Sequence, residues 1–423
     1  MTAPKWLADA IFYQIFPERF ANADARLDQP NVEAWDAEPT RDNFLGGDLQ
    51  GIIDHLDHIT SLGANTLYLT PIFEAATNHR YDCVDYFSID RHLGTLDDFR
   101  RLLAACHAAG LKVVLDAVLN HCGDQHPYFQ DVVANQETSQ YVNWFFVEGF
   151  PVTASPNPNY RTCSGCAYLP KWNTYNPAVR SHHFDVARYW IGEGIDGWRL
   201  DVPYMINLPF WREFRKVVKS FSDDLCIIAE DWREPDQWLA GDTADGTMNY
   251  TLRDLILGFI ADHTLTAAEF AAGMNRLNQR IPNGFHHGML NLLGSHDTER
   301  IFTRCGNNVA AVKDAYSLLF AATGAPMIYY GDEIGMPGGN DPGCRAGMIW
   351  DREKWETAIL AHIRALSQAR SACQALRSGT QSVTAIDCDT VCVTRTLPES
   401  QARVTIRRGS GSPVTSVLEI RGA

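Results

Sequence analysis

The chain reads as an α/β protein built on a (β/α)8 TIM barrel. A loop subdomain is inserted after the third barrel strand, and a small antiparallel β domain follows at the C-terminal end. Three observations predict this. Eight short apolar runs alternate with helical stretches over most of the 423 residues, the pattern of repeated βα units. Four of the runs end abruptly in charged and polar residues, as parallel strands do where they leave a core at its carboxyl end. One connection is far longer than the rest, and past residue 372 the pattern changes to short alternating runs.

The apolar runs cover residues 10–16, 66–69, 112–115, 195–199, 225–229, 247–249, 289–292 and 327–330. Helical patterns occupy 96–109, 177–192, 209–220, 267–280, 309–323 and 354–372. Eight strands close a barrel; the sixth, Thr247-Met-Asn249, is the weakest. The connection from His121 to Asn176 is rich in Pro, Asn, Tyr and Trp. Loops of that length in compact domains are usually functional, and this one is expected to wall one side of a site. Runs at 383–386, 391–396, 402–407 and 414–420, separated by Gly, Ser and Pro turns, predict the terminal β domain. The expected division is a barrel at 1–121 and 177–372, an insertion at 122–176 and a β domain at 373–423.

Composition narrows the function. Thirty-six basic against fifty-one acidic residues give a formal charge of −15, which repels phosphate backbones and anionic lipid and argues against nucleic-acid or membrane partners. No apolar run approaches the roughly eighteen residues that span a bilayer. The first ten residues lack the apolar stretch of a secretion signal, so a cytoplasmic protein is expected. Eleven scattered cysteines suit a reducing compartment. Cys163-Ser-Gly-Cys166 is a single CxxC; plain thiols are the favoured reading, with a local disulfide or zinc as alternatives.

The strand ends carry the chemistry. They read Asp116-Ala-Val-Leu-Asn-His121, Gly197-Trp-Arg-Leu-Asp201, Ile227-Ile-Ala-Glu230 and Asn291-Leu-Leu-Gly-Ser-His-Asp297. Asp201 and Glu230 end adjacent strands, which suits a retaining glycosidase pair about 5–5.5 Å apart. Arg199, two residues before Asp201, shares its face of the strand and is expected to lower the Asp201 pKa. Apolar neighbours and a nearby anion are expected to raise Glu230 toward general-acid use. A structural salt bridge would explain Arg199–Asp201 alone, but not four such segments in order. His121 and His296 have no partner at metal-ligand spacing and suit hydrogen bonds to sugar hydroxyls.

These segments resemble the four signature regions of the α-amylase family, glycoside hydrolase family 13, and within it the cyclomaltodextrinase, neopullulanase and maltogenic amylase group. Similarity extends through Ile11-Phe-Tyr-Gln-Ile-Phe-Pro17, Gly46-Gly-Asp-Leu-Gln-Gly-Ile52, Asn78-His-Arg-Tyr-Asp82 and Tyr330-Gly-Asp-Glu-Ile-Gly-Met336. Leu169-Pro-Lys-Trp-Asn173 and Gly339-Asn-Asp-Pro-Gly-Cys-Arg345 are similar to the subgroup's own markers. The resemblance spans about residues 11–370. It implies a nucleophile at Asp201, an acid/base at Glu230 and a third carboxylate at Asp297. It further implies that Arg199, His121 and His296 hold the sugar at the cleavage point and that Tyr81 stacks beneath it. Asp341 and Arg345 would clasp donor-side hydroxyls, and Trp232 would be an acceptor-side platform, although a lone Trp is more often core packing. Asn22, Asp24, Asp28, Gly46 and Asp48 resemble the subgroup's calcium site; oxygen ligands suit that cation, Leu27 departs from the pattern, and an Asx-rich turn is the alternative. No organic cofactor is implied.

Two departures bear on specificity. Relatives carry an N-terminal β domain that drives dimerisation, whereas here the first strand begins about ten residues from Met1, so a monomer with a more open acceptor side is expected. Where the subgroup has Val-Ala-Asn-Glu after the nucleophile, this chain has Val202-Pro-Tyr-Met-Ile-Asn207. The expected function is a retaining α-glucan hydrolase cutting α-1,4 bonds of cyclodextrins, maltooligosaccharides or starch, with maltose a product. A transglycosylase or exo-acting α-glucosidase is the alternative. A non-catalytic sugar-binding barrel is the remote one, since fold alone does not imply function.

Overall fold

The strands are β1 Phe12–Ile15, β2 Thr66–Leu69, β3 Phe73–Ala75, β4 Cys83–Ile89, β5 Lys112–Ala117, β6 Gly197–Leu200 and β7 Cys226–Ala229. They continue with β8 Gly246–Thr247, β9 Leu290–Asn291, β10 Ala325–Tyr329, β11 Thr380–Ala385, β12 Thr390–Leu397 and β13 Ser400–Arg407. This is a computed structural model, and it describes residues 2–154, 157–233 and 235–408.

Eight parallel strands form one sheet in the order β8-β7-β6-β5-β2-β1-β10-β9. A bridge between Met248 and Leu290 joins its two ends and completes the barrel. Barrel strands such as β1, β2, β6 and β7 are buried along their whole length, which is why they read as continuous apolar runs rather than alternating ones. At β8, only two residues long, the backbones approach closely: a Cβ on Gly246 would lie 1.6 Å from the Gly288 carbonyl oxygen. Helices are stopped and started locally. Thr95 and Thr266 each close a capping box with Asp98 and Glu269, satisfying backbone donors that the first turn leaves free.

All eight predicted barrel strands are present. The β3–β4 antiparallel hairpin was not anticipated; its register shifts between Phe73 and Ala75, so the period-2 signal is broken there. Past the long connection, Asn176 caps the helix Pro177–Glu193. The connection folds around the helix Pro127–Asn135 and is tied by bridges from His121 to Lys171, Phe145 to Trp172, Val147 to Tyr160 and Thr162 to Pro170. Trp172 is wholly buried, stacks on Phe145 at 4.6 Å and donates its indole N–H to the Tyr86 hydroxyl. It is therefore a packing residue of this subdomain. At the other end β11, β12 and β13 form an antiparallel sheet. The run expected at 414–420 lies outside the described residues. All eleven cysteines, Cys163 and Cys166 included, are free thiols. Among the described residues no helix is long and apolar enough to cross a membrane.

Candidate active site

Strands β5, β6 and β7 deliver Asp116, Arg199, Asp201 and Glu230 to one end of the barrel, in a register that pairs Asp116 with Arg199. Arg199 is buried among them. Its Nη1 donates to Asp116 Oδ1 at 2.8 Å and to Asp201 Oδ1 at 3.0 Å, and its Nη2 lies 2.9 Å from Glu230 Oε2. One guanidinium thus grips three carboxylates. Asp116 also accepts from the hydroxyls of Tyr68 and Tyr81, at 2.8 and 2.9 Å.

His296 is oriented from both sides. Gln14 Nε2 lies 2.9 Å from its Nδ1. On the other side its Nε2 meets the Tyr81 hydroxyl at 2.6 Å and Asp297 Oδ2 at 3.2 Å. Because the Tyr81 proton goes to Asp116, the Tyr81 oxygen accepts from His296, which places the imidazole proton on Nε2. The two rings stack nearly parallel at 5.6 Å. Arg345 binds the carbonyl of His296 through Nε at 2.7 Å, Asp297 at 3.2 Å and Asp341 at 2.9 Å.

A cavity of about 380 Å³ opens over these groups, lined among others by Tyr81, His121, Asp201, Glu230, Trp232, Asp297, Asp341 and Arg345. Arg199 and His296 touch that wall from behind. Trp232 is half exposed, stacks on Tyr250 at 3.8 Å and points its indole N–H at Glu230 Oε1, 3.3 Å away. Exposed aromatic surface held rigid from below is what a sugar platform requires. The structure thus gathers all ten catalytic and sugar-binding candidates. Tyr204, from the segment that departs from the subgroup after Asp201, lines the cavity too, as do His79 and Arg41, which sequence reading missed. His79 lies inside the quoted Asn78-His-Arg-Tyr-Asp82 segment, Arg41 faces Asp341 at 3.4 Å, and nothing local marks either as a site residue.

Burial dominates the electrostatics. It raises Glu230 to about 7, against the pull of Arg199 and with help from Asp297. The expectation that Arg199 lowers Asp201 is not met. Burial pushes Asp201 well above the usual carboxylate range, Arg199 opposes it, and Glu230, Asp116 and Asp297 add to the rise. Burial leads this rise, and crowding of Asp116, Asp201, Glu230 and Asp297 around Arg199 and Arg345 adds to it, so the cluster favours keeping a proton. Asp297 falls below its ordinary value because His296, Arg345 and Arg199 outweigh its burial. Burial brings His121 and His296 down to about 3, so both are neutral at physiological pH.

The cation candidates converge elsewhere, at the loop after β1. A Cβ on Gly46 would lie 2.4 Å from both the Asn22 amide and Asp28 Oδ1, so Gly46 cradles that pair. Asp48 is committed to backbone donors, accepting from Gly51, Ala23 and Asp24. Both Asp24 oxygens face the Arg26 guanidinium, at 2.7 and 2.6 Å. Asn22 donates its amide N–H to Asp28 Oδ1 at 2.7 Å, and among the described residues no group of three or more His, Cys, Asp and Glu side chains is placed to hold a metal ion; these side chains would have to turn from their present partners to hold a cation.

A buried acid pair at the carboxyl end of a parallel barrel, with an aromatic-lined cavity above it, defines a glycosidase-type site. A family profile described as the α-amylase catalytic domain matches residues 14–376, and the chain belongs to the α-amylase family. It is 46% identical over 387 residues to a cyclomaltodextrinase of Geobacillus thermopakistaniensis, covering 91% of this chain and 66% of that one. A maltogenic α-amylase of Bacillus acidopullulyticus is 45% identical, with 87% and 63% covered. The chain spans about two thirds of the length of these curated relatives. Among solved structures, a cyclic α-maltosyl-(1→6)-maltose hydrolase from Arthrobacter globiformis, bound to that sugar, superposes with a TM-score of 0.96. It is 64% identical, with 97% of this chain and 92% of that one covered.

Proposed function

We propose that the chain is a retaining α-glucan hydrolase that cuts α-1,4 bonds in small cyclic and linear α-glucans, releasing maltose. The observation that carries this reading is the shared grip of Arg199 on Asp201 and Glu230. One guanidinium fork binds Asp201 on one arm and lies beside Glu230 on the other, which sets a nucleophile and an acid side by side at the cavity floor, the pair that glycoside cleavage requires. With the cluster's shared proton on Glu230, Asp201 is ionised; Arg199 occupies its Oδ1, which leaves Oδ2 to attack the anomeric carbon. Glu230 Oε2 lies 2.9 Å from Arg199 Nη2 and accepts from the Val202 N–H at 3.0 Å, so the proton sits on Oε1 and goes to the leaving oxygen. Water, deprotonated by the same Glu230, then releases the glycosyl–Asp201 ester. Asp297 and neutral His121 and His296 hold ring hydroxyls, Tyr81 stacks beneath the ring, and Asp341 with Arg345 bounds the donor side.

A second reading is favoured by the 64% identity to the cyclic α-maltosyl-(1→6)-maltose hydrolase: this chain opens the same ring at its 1→6 joints. A product time course on that ring, β-cyclodextrin and starch separates the two. Cutting the joints of the ring yields maltose, whereas cutting its α-1,4 bonds yields isomaltose. No turnover of any of the three overturns both readings.

Residence in the cytoplasm belongs to this proposal, supported by 44% identity to an intracellular maltogenic amylase of Bacillus subtilis. So does a monomeric state; a dimer mass in light scattering at low micromolar concentration overturns it. Calcium at Asn22, Asp28 and Gly46, with Asp24 and Asp48 around it, is proposed as a structural brace of the loop, with no part in the chemistry.

A further inference from the structure

We propose that Cys163 and Cys166 form an oxidative modification site: a dithiol that closes to a disulfide and so shifts one wall of the active-site cavity. Its signature is a turn. The Cys166 N–H donates to the Cys163 carbonyl at 2.9 Å, and the two residues between, Ser164 and Gly165, both adopt left-handed backbone, at φ 51° and 80°. That hydrogen bond, with positive φ at both central positions, is the pattern of a type I′ turn, whose outer Cα atoms lie within about 7 Å. A disulfide needs Cα atoms about 4.4–6.8 Å apart, so the pair can close without unfolding the loop.

The base of the turn is fastened. The Cys163 N–H donates to the Leu169 carbonyl at 2.9 Å, and the Leu169 N–H to the Cys166 carbonyl at 3.0 Å. The Tyr160 hydroxyl holds the Ala167 carbonyl at 2.7 Å, and a bridge joins Thr162 to Pro170. Holding both ends in place gives each thiol a high effective concentration at the other, which favours the intramolecular bond.

The two thiols differ in access. Cys166 is half-buried, and a Cβ on its neighbour Gly165 would meet nothing within 4 Å, so the tip of the turn stands open to solvent. Cys163 is buried and lines the cavity with Ser164; burial, with Asp201 adding to it, pushes its thiol up to about 11. Cys166 is therefore the point of entry. Its thiolate attacks one sulfur of a small-molecule disulfide, releasing the first thiol and leaving a mixed disulfide. Cys163 then gives its proton to water, attacks Cys166 Sγ and expels the second thiol. The protein gives up two electrons and two protons, and the oxidant is reduced to two thiols.

Closure removes a contact from the cavity wall. In the reduced state Cys163 Sγ lies 3.9 Å from Met205 Sδ. Turning Sγ toward Cys166 withdraws it from that partner, where Cys163 and Ser164 face the cavity. The effect on turnover rests on the glucan-hydrolase reading; the disulfide does not.

The test incubates the whole protein with glutathione disulfide, alkylates the remaining thiols and weighs the tryptic peptide 162–171, which holds these two cysteines and no other. A peptide two hydrogens lighter and closed to alkylation is expected. With it, kcat/KM for maltotetraose should fall about tenfold and recover in dithiothreitol. Cys166→Ser, which lies outside the cavity lining, is expected to keep the reduced activity and lose the response. A peptide that alkylates twice or retains glutathione overturns the site, and a disulfide that leaves kcat/KM unchanged overturns its effect on the cavity. Equal inhibition of Cys166→Ser also overturns it, moving the response to another thiol such as exposed Cys388. A wild-type protein inert on maltotetraose in both states overturns the glucan-hydrolase reading, while the peptide mass still decides the disulfide.

Discussion

The backbone N–H of Val202 donates to Glu230 Oε2 at 3.0 Å, so the residue after the expected nucleophile fixes the expected acid. Val202 achieves this at φ 35°, a region costly for a β-branched side chain. Strain at that peptide couples the two carboxylates through the main chain as well as through Arg199.

Removing either carboxyl function should abolish turnover without unfolding the barrel. Asp201→Asn and Glu230→Gln are each expected to lower kcat by at least about a thousandfold, with far-UV circular dichroism unchanged. Near-normal turnover in either variant would falsify the assignment.

The pH profile follows from Glu230, which must carry its proton to act. With a pKa raised to about 7, kcat/KM is expected to decline as pH rises through neutrality. The stability sign is the same. A carboxyl raised above its unfolded value favours the fold at low pH and loses that contribution as pH rises from the ordinary Glu range through 7. Glu230→Gln should therefore raise Tm more at pH 8 than at pH 5, read by calorimetry. An equal effect at both values counts against a raised Glu230.

The seam of the barrel depends on Gly246. Its approach to the Gly288 carbonyl leaves no room for a Cβ, so Gly246→Ala should cost about 3 kcal/mol or more. Urea unfolding measures this, and a loss under about 1 kcal/mol would mean that β8 and β9 close differently.

The loop after β1 is the place to look for calcium. A hundredfold excess over Kd should raise Tm by roughly 3–5 °C, and Asp28→Ala should abolish the shift. No shift in the wild-type protein would leave the Asp24–Arg26 pair as the loop's own brace.

Barrel class and the charged groups at the strand ends were legible in the sequence because both are written locally. A strand buried on all sides must be an unbroken apolar run, and its emergence must be polar, so Asp116, Arg199, Asp201, Glu230 and Asp297 announce themselves. What remained depended on contacts between segments distant in the chain. Trp172 became core when Phe145 and Tyr86 closed on it. Asp201 rose rather than fell because burial, with Glu230, Asp116 and Asp297 close by, outweighs Arg199, a balance invisible at two-residue range. By itself the sequence determined which groups stand at the strand ends, since periodicity and burial are local properties. Only the tertiary structure decided which charges share a partner and which rings face the cavity, because burial and Coulomb energies depend on every neighbour at once.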